Sequence, residues 1–369
     1  MATFTLLVDG QVLDHELLAQ LQTVEAEEHL QMADMLRLVF NIAVKEDGSG
    51  WRVLDDAVFS PLTHLQLQIT VGNNDPVTVI DAYVVETQTA FTNNPGESTL
   101  TVTAMDAGVL MSRREVVRTW AGMSDSDIAG TIFNDYGLSS EVETTDVTYE
   151  EDNTLIVQRG TDMQFLQLLA QRHGFDVYID VDPASGSLTG HFGPVRLDGE
   201  PQGLLTIHMG QSSNLNFLNV RWDMLRPTAV QVDNIDFDSG ENQTGSAGSS
   251  DLTLLGGEDL FKSTTPRMSR VLPSGAAIDA ELLSIAQGLC NRSSLAVVAE
   301  GEVDTRNFGA VLRAKRTVTV RGAGELYSGI YLVERVLHAF IEGEYTQSFT
   351  LRRNALAPRR QDDFTPEEE

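Results

Sequence analysis

The chain has 369 residues, with 54 Asp and Glu against 25 Lys and Arg, a formal charge of −29 at pH 7, 41% apolar and 21% charged residues. That apolar share excludes a wholly disordered chain, and the length suggests about two to three domains. The acidic excess argues against a surface for specific nucleic-acid binding, which needs clustered Lys and Arg, and against docking on an anionic membrane.

The first nine residues lack a basic start and a long apolar run, so they read as a strand and not as a signal peptide. The expectation is a protein made and assembled in a reducing cytoplasm, or one exported by a route that leaves no N-terminal mark. Phe4–Val8 ends at the turn Asp9-Gly10, and Thr23–Glu28, Met35–Val44, Val77–Thr87 and Leu100–Met105 follow as strands. Leu65, Leu67, Ile69 and Val71 alternate with polar residues, a period of two with one wet face. Residues 1–105 are thus predicted to form a small β-barrel or sandwich.

Residues 106–200 read as an α+β module. Ser124 with Asp127, and Thr161 with Gln164, have the spacing of capping boxes. Ile128, Ile132, Phe133 and Tyr136 share one helical face and Gly137 is the stop. Phe165, Leu166 and Leu169 stripe the second helix, which Gly174 ends. Phe175–Val181 and Leu188–Phe192 read as a hairpin. The acidic run from Glu141 to Asp152 reads as a solvated loop or as the wall of an electronegative surface.

From residue 201 the chain returns to β. Residues 201–235, which include Val230–Val232, and residues 300–356 carry these β runs. Residues 236–299 are assigned to an insertion: a mobile excursion over 236–259, then a helix from about Ala276 to Asn291. Its apolar side is expected to carry Ile278, Leu282, Ile285, Ala286 and Leu289. Residues 357–369 are expected to be a disordered acidic tail. The fold class is therefore mainly β with an α+β domain.

Chemistry-bearing motifs are sparse. Cys290 is the one cysteine, which rules out an intrachain disulfide and reads as a small buried apolar residue. No two of the seven His residues have helical metal-pair spacing. Asp180-Val181-Asp182 and Asp236-Phe237-Asp238 begin like calcium loops but lack the later ligands and the closing Glu. No phosphate-binding or nucleophile-elbow motif occurs. No catalytic residue, cofactor or metal is therefore expected. A tail-tip cell-wall hydrolase, or a carbohydrate- or receptor-binding module, stands as the alternative class.

The most specific segment is Gln158-Arg159-Gly160-Thr161-Asp162-Met163-Gln164-Phe165-Leu166-Gln167-Leu168-Leu169-Ala170-Gln171-Arg172-His173-Gly174-Phe175. It resembles the Q-x-G-x-T/S-D-x-x-F-L-x-x-L-A-x-x-x-G-F segment of the late-control gene D family of tailed phages, also found near the start of VgrG-type spikes. Tyr331 to His338 and then Tyr345 to Arg353, with Phe349 between, are similar to the strands that close family members. The resemblance covers about residues 1–355. It implies two β-barrel tube domains, the first over 1–105 and the second over 201–235 and 300–356, and a structural baseplate hub of a contractile tail: a homotrimer whose six barrels meet the hexameric tail tube on one side and a spike on the other. Because the chain stops at 369, the spike is expected to be a separate protein. Baseplate wedge proteins and cargo in the lumen are further candidate partners. The resemblance assigns Gly160, Thr161, Asp162, Phe165, Leu166, Leu169, Gly174, His338, Tyr345 and Phe349 structural roles only. Three Lys accompany 22 Arg, so the acidity fits either a phosphate-repelling lumen or a general bias of composition.

Overall fold

Alternation builds the first half. In the strand His64–Val71 every second side chain is buried, and Leu100, Val102 and Ala104 repeat this in Thr99–Asp106. The computed structural model describes residues 2–359 except 46, 47, 49, 56, 57, 95, 146, 147, 150–155, 236–239 and 273–278. Ala2–Val8, Leu21–His29, Met35–Asn41 and Val77–Ala90 join those two strands in an antiparallel run around Leu38, Phe40, Leu65 and Leu67. Asp9 and Gly10 both take positive φ, 46° and 77°, and reverse the chain into Gln11–Val12. Such a turn matches the natural strand twist.

The second half packs Leu215–Trp222, Val297–Val303, Thr317–Arg321, Gly329–Ile341 and Glu344–Arg353 around Tyr331, Val333, Phe349 and Leu351. Each half keeps its own core, yet their hydrogen bonding is continuous. Gly329–Ile341 pairs with Leu21–His29, from Arg335 opposite His29 to Ile341 opposite Thr23, within one 13-stranded sheet. An open strand edge of each half is thereby satisfied by the other. The architecture is mainly β, with a curled sheet and an α+β layer beside it.

In that layer both capping boxes are present. Ser124 and Asp127 start the helix Asp125–Asp135, and Thr161 and Gln164 start Asp162–His173. Ile128, Ile132 and Phe133 meet Phe165, Leu166 and Leu169 in a third core. The hairpin Asp176–Val181 with Leu188–Gly193 lies against it.

Several local expectations change. Thr228–Ile235, assigned to the second barrel, pairs instead with Asn242–Ala247 and, in parallel, with Arg267–Val271. Val230, Val232 and Ala247 bury against Leu282, Ala286 and Cys290 of the helix Asp279–Ser294, a small core of their own. Residues 242–247 are therefore a strand and not part of a mobile excursion. They carry no apolar alternation because Gly245 lies on the helix: a Cβ there would fall 2.3 Å from the Leu282 carbonyl carbon. Residues 236–239, and 276–278 at the expected helix start, lie outside the described residues. On the helix Leu289 is 37% exposed, and Cys290 takes the buried place expected for it.

Of the acidic run, Glu141 belongs to the strand Ser139–Val142, parallel to Leu188–Gly193; residues 146, 147 and 150–152 lie outside the described residues. Residues 357–359 are held in place and are not part of a disordered tail. Ala357 accepts from Gly257 N–H at 2.9 Å and donates to the Leu326 carbonyl at 3.0 Å, and the Arg359 guanidinium donates to the Leu254 carbonyl. Residues 360–369 lie outside the described residues.

Candidate functional site

Two features of the sheet stand out: the polar face it presents, and the buried charges behind that face. Register defines the face. Glu300 lies opposite Thr350, Glu302 opposite Ser348, Leu337 opposite Glu27, Glu25 opposite Arg37, Arg37 opposite Thr103, and Thr103 opposite Glu86. These side chains point away from the cores and line one surface that crosses both halves without interruption. Arg37 bonds Glu25 at 2.9 Å and Arg335 bonds Glu27 at 2.7 Å. Glu86 and Glu302 have no salt-bridge partner among the described residues, and Glu300 shares Arg335 with Glu27, so the face is hydroxyl-rich and acidic.

Behind it, charge is buried where the two halves and the α+β layer meet. Glu28 takes the inward position of its strand, after Val24 and Ala26. The Arg313 Nε–H donates to both Glu28 oxygens at 2.8 Å, and its Nη1 donates to the Thr78 carbonyl at 2.8 Å. His338 Nε2 lies 3.2 Å from Glu28 and its Nδ1 lies 2.8 Å from the Tyr345 hydroxyl. Burial opposes the Glu28 charge, yet Arg313 and His338 hold its carboxyl down at about 2. Nearby, Lys315 Nζ donates to Asp34 at 2.6 Å and to the Ile179 carbonyl at 3.0 Å. Asp106 accepts from the Asp34 N–H at 2.8 Å. Burial pushes Asp34 up to about 7, helped by the Asp106 carboxylate and against the pull of Lys315. Burial also raises Asp106. Glu28, Asp34, Asp106, Arg313, Lys315 and His338 are all buried, and the network joins three layers.

The residues named from the sequence fall in two places. Gly160, at φ 117°, leaves room for the Gln164 side chain. Thr161 caps the helix, and Asp162 accepts from Gln158 at 2.6 Å and from the Tyr136 hydroxyl at 2.7 Å. Phe165, Leu166 and Leu169 fill the third core. Gly174, at φ 66°, ends the helix against Gly288, where a Cβ would lie 2.0 Å from the Gly288 Cα. His338 and Tyr345 belong to the Glu28 network, and Phe349 packs over Gly301, where a Cβ would meet its ring at 2.5 Å. Sequence reasoning missed Glu28, Asp34, Asp106, Arg313 and Lys315. The one available signal was Glu28 in phase with Val24 and Ala26, a charge on the inward side of an alternating strand.

The fold has close counterparts among solved structures. A tail protein from Neisseria meningitidis MC58 superposes with TM-score 0.67 at 14% identity, over 96% of this chain and 97% of that one. The 43 kDa tail protein of prophage MuSo2 from Shewanella oneidensis gives 0.65 at 14% identity, over 96% and 100%. An Escherichia coli type VI secretion component, described as similar to T4 bacteriophage tail proteins, gives 0.54 at 11% identity, over 97% of this chain and 79% of that one. No curated protein matches the chain. The family model described as the Alg8 N-terminal domain matches residues 1–342, and the chain belongs to that family.

Proposed function

We propose that this chain is a structural baseplate hub of a contractile phage tail or phage-tail-like injection system. In this reading it forms a homotrimer that adapts a hexameric tail tube to a trimeric spike, and it has no enzymatic role. It assembles in the cytoplasm and becomes part of the virion baseplate or injection particle. The observation that carries the reading is the polar face running unbroken across both halves of the sheet. Two similar units per chain give six in a trimer, which is the symmetry match the late-control gene D resemblance implies. A face of hydroxyls and unpaired carboxylates suits a lumen, since phosphate that bound there would stall in transit.

The sheet ends support the same reading. Leu215–Trp222 closes one end and Ala2–Val8 with Gln11–Val12 the other. Open edges invite pairing, and neighbouring copies in a ring would cover them. The near-complete overlap with two tail proteins, one of them from a prophage, adds support from fold alone.

The test is mass in solution by light scattering on a sizing column, with and without the spike protein from the same gene cluster. A trimer, or a three-to-three complex with the spike, is expected. A chain that stays monomeric and ignores the spike defeats the proposal.

A further inference from the structure

Lys315 and Asp34 are each 3% exposed, and Lys315 Nζ lies 2.6 Å from Asp34 Oδ2. Asp34 precedes the strand Met35–Asn41 of the first half, and Lys315 precedes Thr317–Arg321 of the second. The chain has three lysines against 22 arginines. Lys262 is exposed and Lys45 half-buried, so the fully buried position is the one given a primary amine. An arginine there could pair with Asp34 but, never losing its proton, could not attack it. Lys315 also takes φ 66°, a left-handed backbone that a residue with a side chain adopts at a cost.

The surroundings hold both groups in position to react. The Ile179 carbonyl accepts from Lys315 Nζ at 3.0 Å, and the Tyr178 ring centroid lies 5.2 Å from it. Asp34 Oδ1 accepts from the His29 N–H at 2.8 Å. That donor is aimed at the oxygen on which negative charge develops when a nucleophile adds to Cγ. The Asp34 N–H donates to Asp106, whose other oxygen accepts from the Gly108 N–H at 2.8 Å, so the Asp34 backbone is fixed as well. The Asp34, Asp106 and Asp180 charges hold the proton on Lys315 against burial, while burial raises Asp34. Passing one proton across the 2.6 Å contact therefore removes two buried charges, whose desolvation is costly.

We propose that Lys315 and Asp34 join in an intramolecular amide bond that ties the two halves of the sheet covalently. One ammonium proton of Lys315 passes to Asp34 Oδ2, and the neutral amine attacks Cγ. The Nζ–Cγ bond forms and the Cγ–Oδ2 bond breaks. Oδ2 leaves as water, taking a second proton from Nζ. The net change is the loss of one water; nothing is oxidised or reduced, and no co-reactant is needed. Fixed contact between amine and carboxyl supplies the high effective concentration that the step requires. The bond links residues 281 positions apart. Asp34 titrates as a free carboxyl only in the unbonded chain, so its pH dependence disappears as the bond forms. The inference does not depend on the hub reading.

The test is the intact mass of the full chain under denaturing conditions, after cell-free synthesis and incubation at neutral pH. The mass is expected to start at the sequence value and fall by one water molecule. Digestion should then yield a single branched peptide joined through Lys315 and Asp34. Lys315→Arg, which keeps the charge, should stay at its sequence mass. Lys45→Arg with Lys262→Arg leaves the buried network intact and should still lose the water, so the outcome does not hang on a variant that fails to fold. A wild-type mass that never falls means an ion pair only and overturns the proposal. A water loss that maps elsewhere, such as to Asp9-Gly10, also overturns it, as does one that persists in Lys315→Arg or vanishes in the double variant.

Discussion

Arg313 and Glu28 are 285 residues apart in the chain, yet the Arg313 Nε–H sits 2.8 Å from both Glu28 oxygens, with both side chains buried. The same guanidinium reaches the Thr78 and Val79 carbonyls of the first half and the Val181 carbonyl of the α+β layer. One side chain therefore bridges all three layers. Removing its counter-charge should be more damaging than removing the pair. Glu28→Gln is expected to cost about 3–5 kcal/mol, because it strands a buried cation, and Glu28→Gln with Arg313→Met should recover much of that. Urea unfolding midpoints test this. A loss below about 1 kcal/mol for the single substitution would show that water reaches Arg313.

The two buried carboxyl groups impose opposite pH dependences. Glu28 is held at about 2, below its ordinary 4.5, so its contribution is present above about 4.5 and lost as pH falls toward 2. Asp34 is raised to about 7 from 3.8, so its contribution is full below about 4 and lost as pH rises through 7. Stability should peak in the mildly acidic range. Asp34→Asn should flatten the decline between pH 4 and 7 and leave the acid limb. Unfolding midpoints at unit pH intervals from 3 to 8 measure both, and an unchanged slope in the variant contradicts the account.

The approach of Gly174 to Gly288 sets how the helices Asp162–His173 and Asp279–Ser294 cross. A Cβ on Gly288 would lie 2.3 Å from the Gly174 Cα, and both partners are backbone. Gly288→Ala should separate the helices at a cost of about 1–3 kcal/mol. Cys290, whose thiol burial pushes up to about 11, should then react faster with a maleimide. An unchanged labelling rate would mean that the crossing tolerates the methyl group.

Thr161 caps Asp162–His173 by accepting from the Gln164 N–H, and Gln164 answers at the Thr161 N–H. Thr161→Ala should cost about 1 kcal/mol without changing oligomeric state. Thermal unfolding with light scattering separates those two effects.

Deletion of residues 360–369 is expected to leave the mass of the assembled particle unchanged. Loss of assembly on truncation would assign the segment a role between subunits.

Local structure was legible wherever it follows from nearest neighbours. The alternation in Leu65–Val71, the capping boxes at Ser124 and Thr161, and the stop at Gly174 are contacts within a few residues, so composition and spacing determine them. The small sheet at 228–271 was not legible, because Asn242–Ala247 has no apolar rhythm and gains its order from the helix over Gly245. The charge network was equally hidden. Glu28 was visible as a charge in an inward position, but not its partners, since Arg313 and Lys315 are brought to it only when Gly329–Ile341 pairs with Leu21–His29. By itself the sequence determined a mainly β chain with a capped two-helix layer and an acidic excess. Only the tertiary structure decided that the halves share one sheet and which charges meet inside it. Each of those depends on contacts between residues far apart in the chain, whose pairing no local propensity encodes.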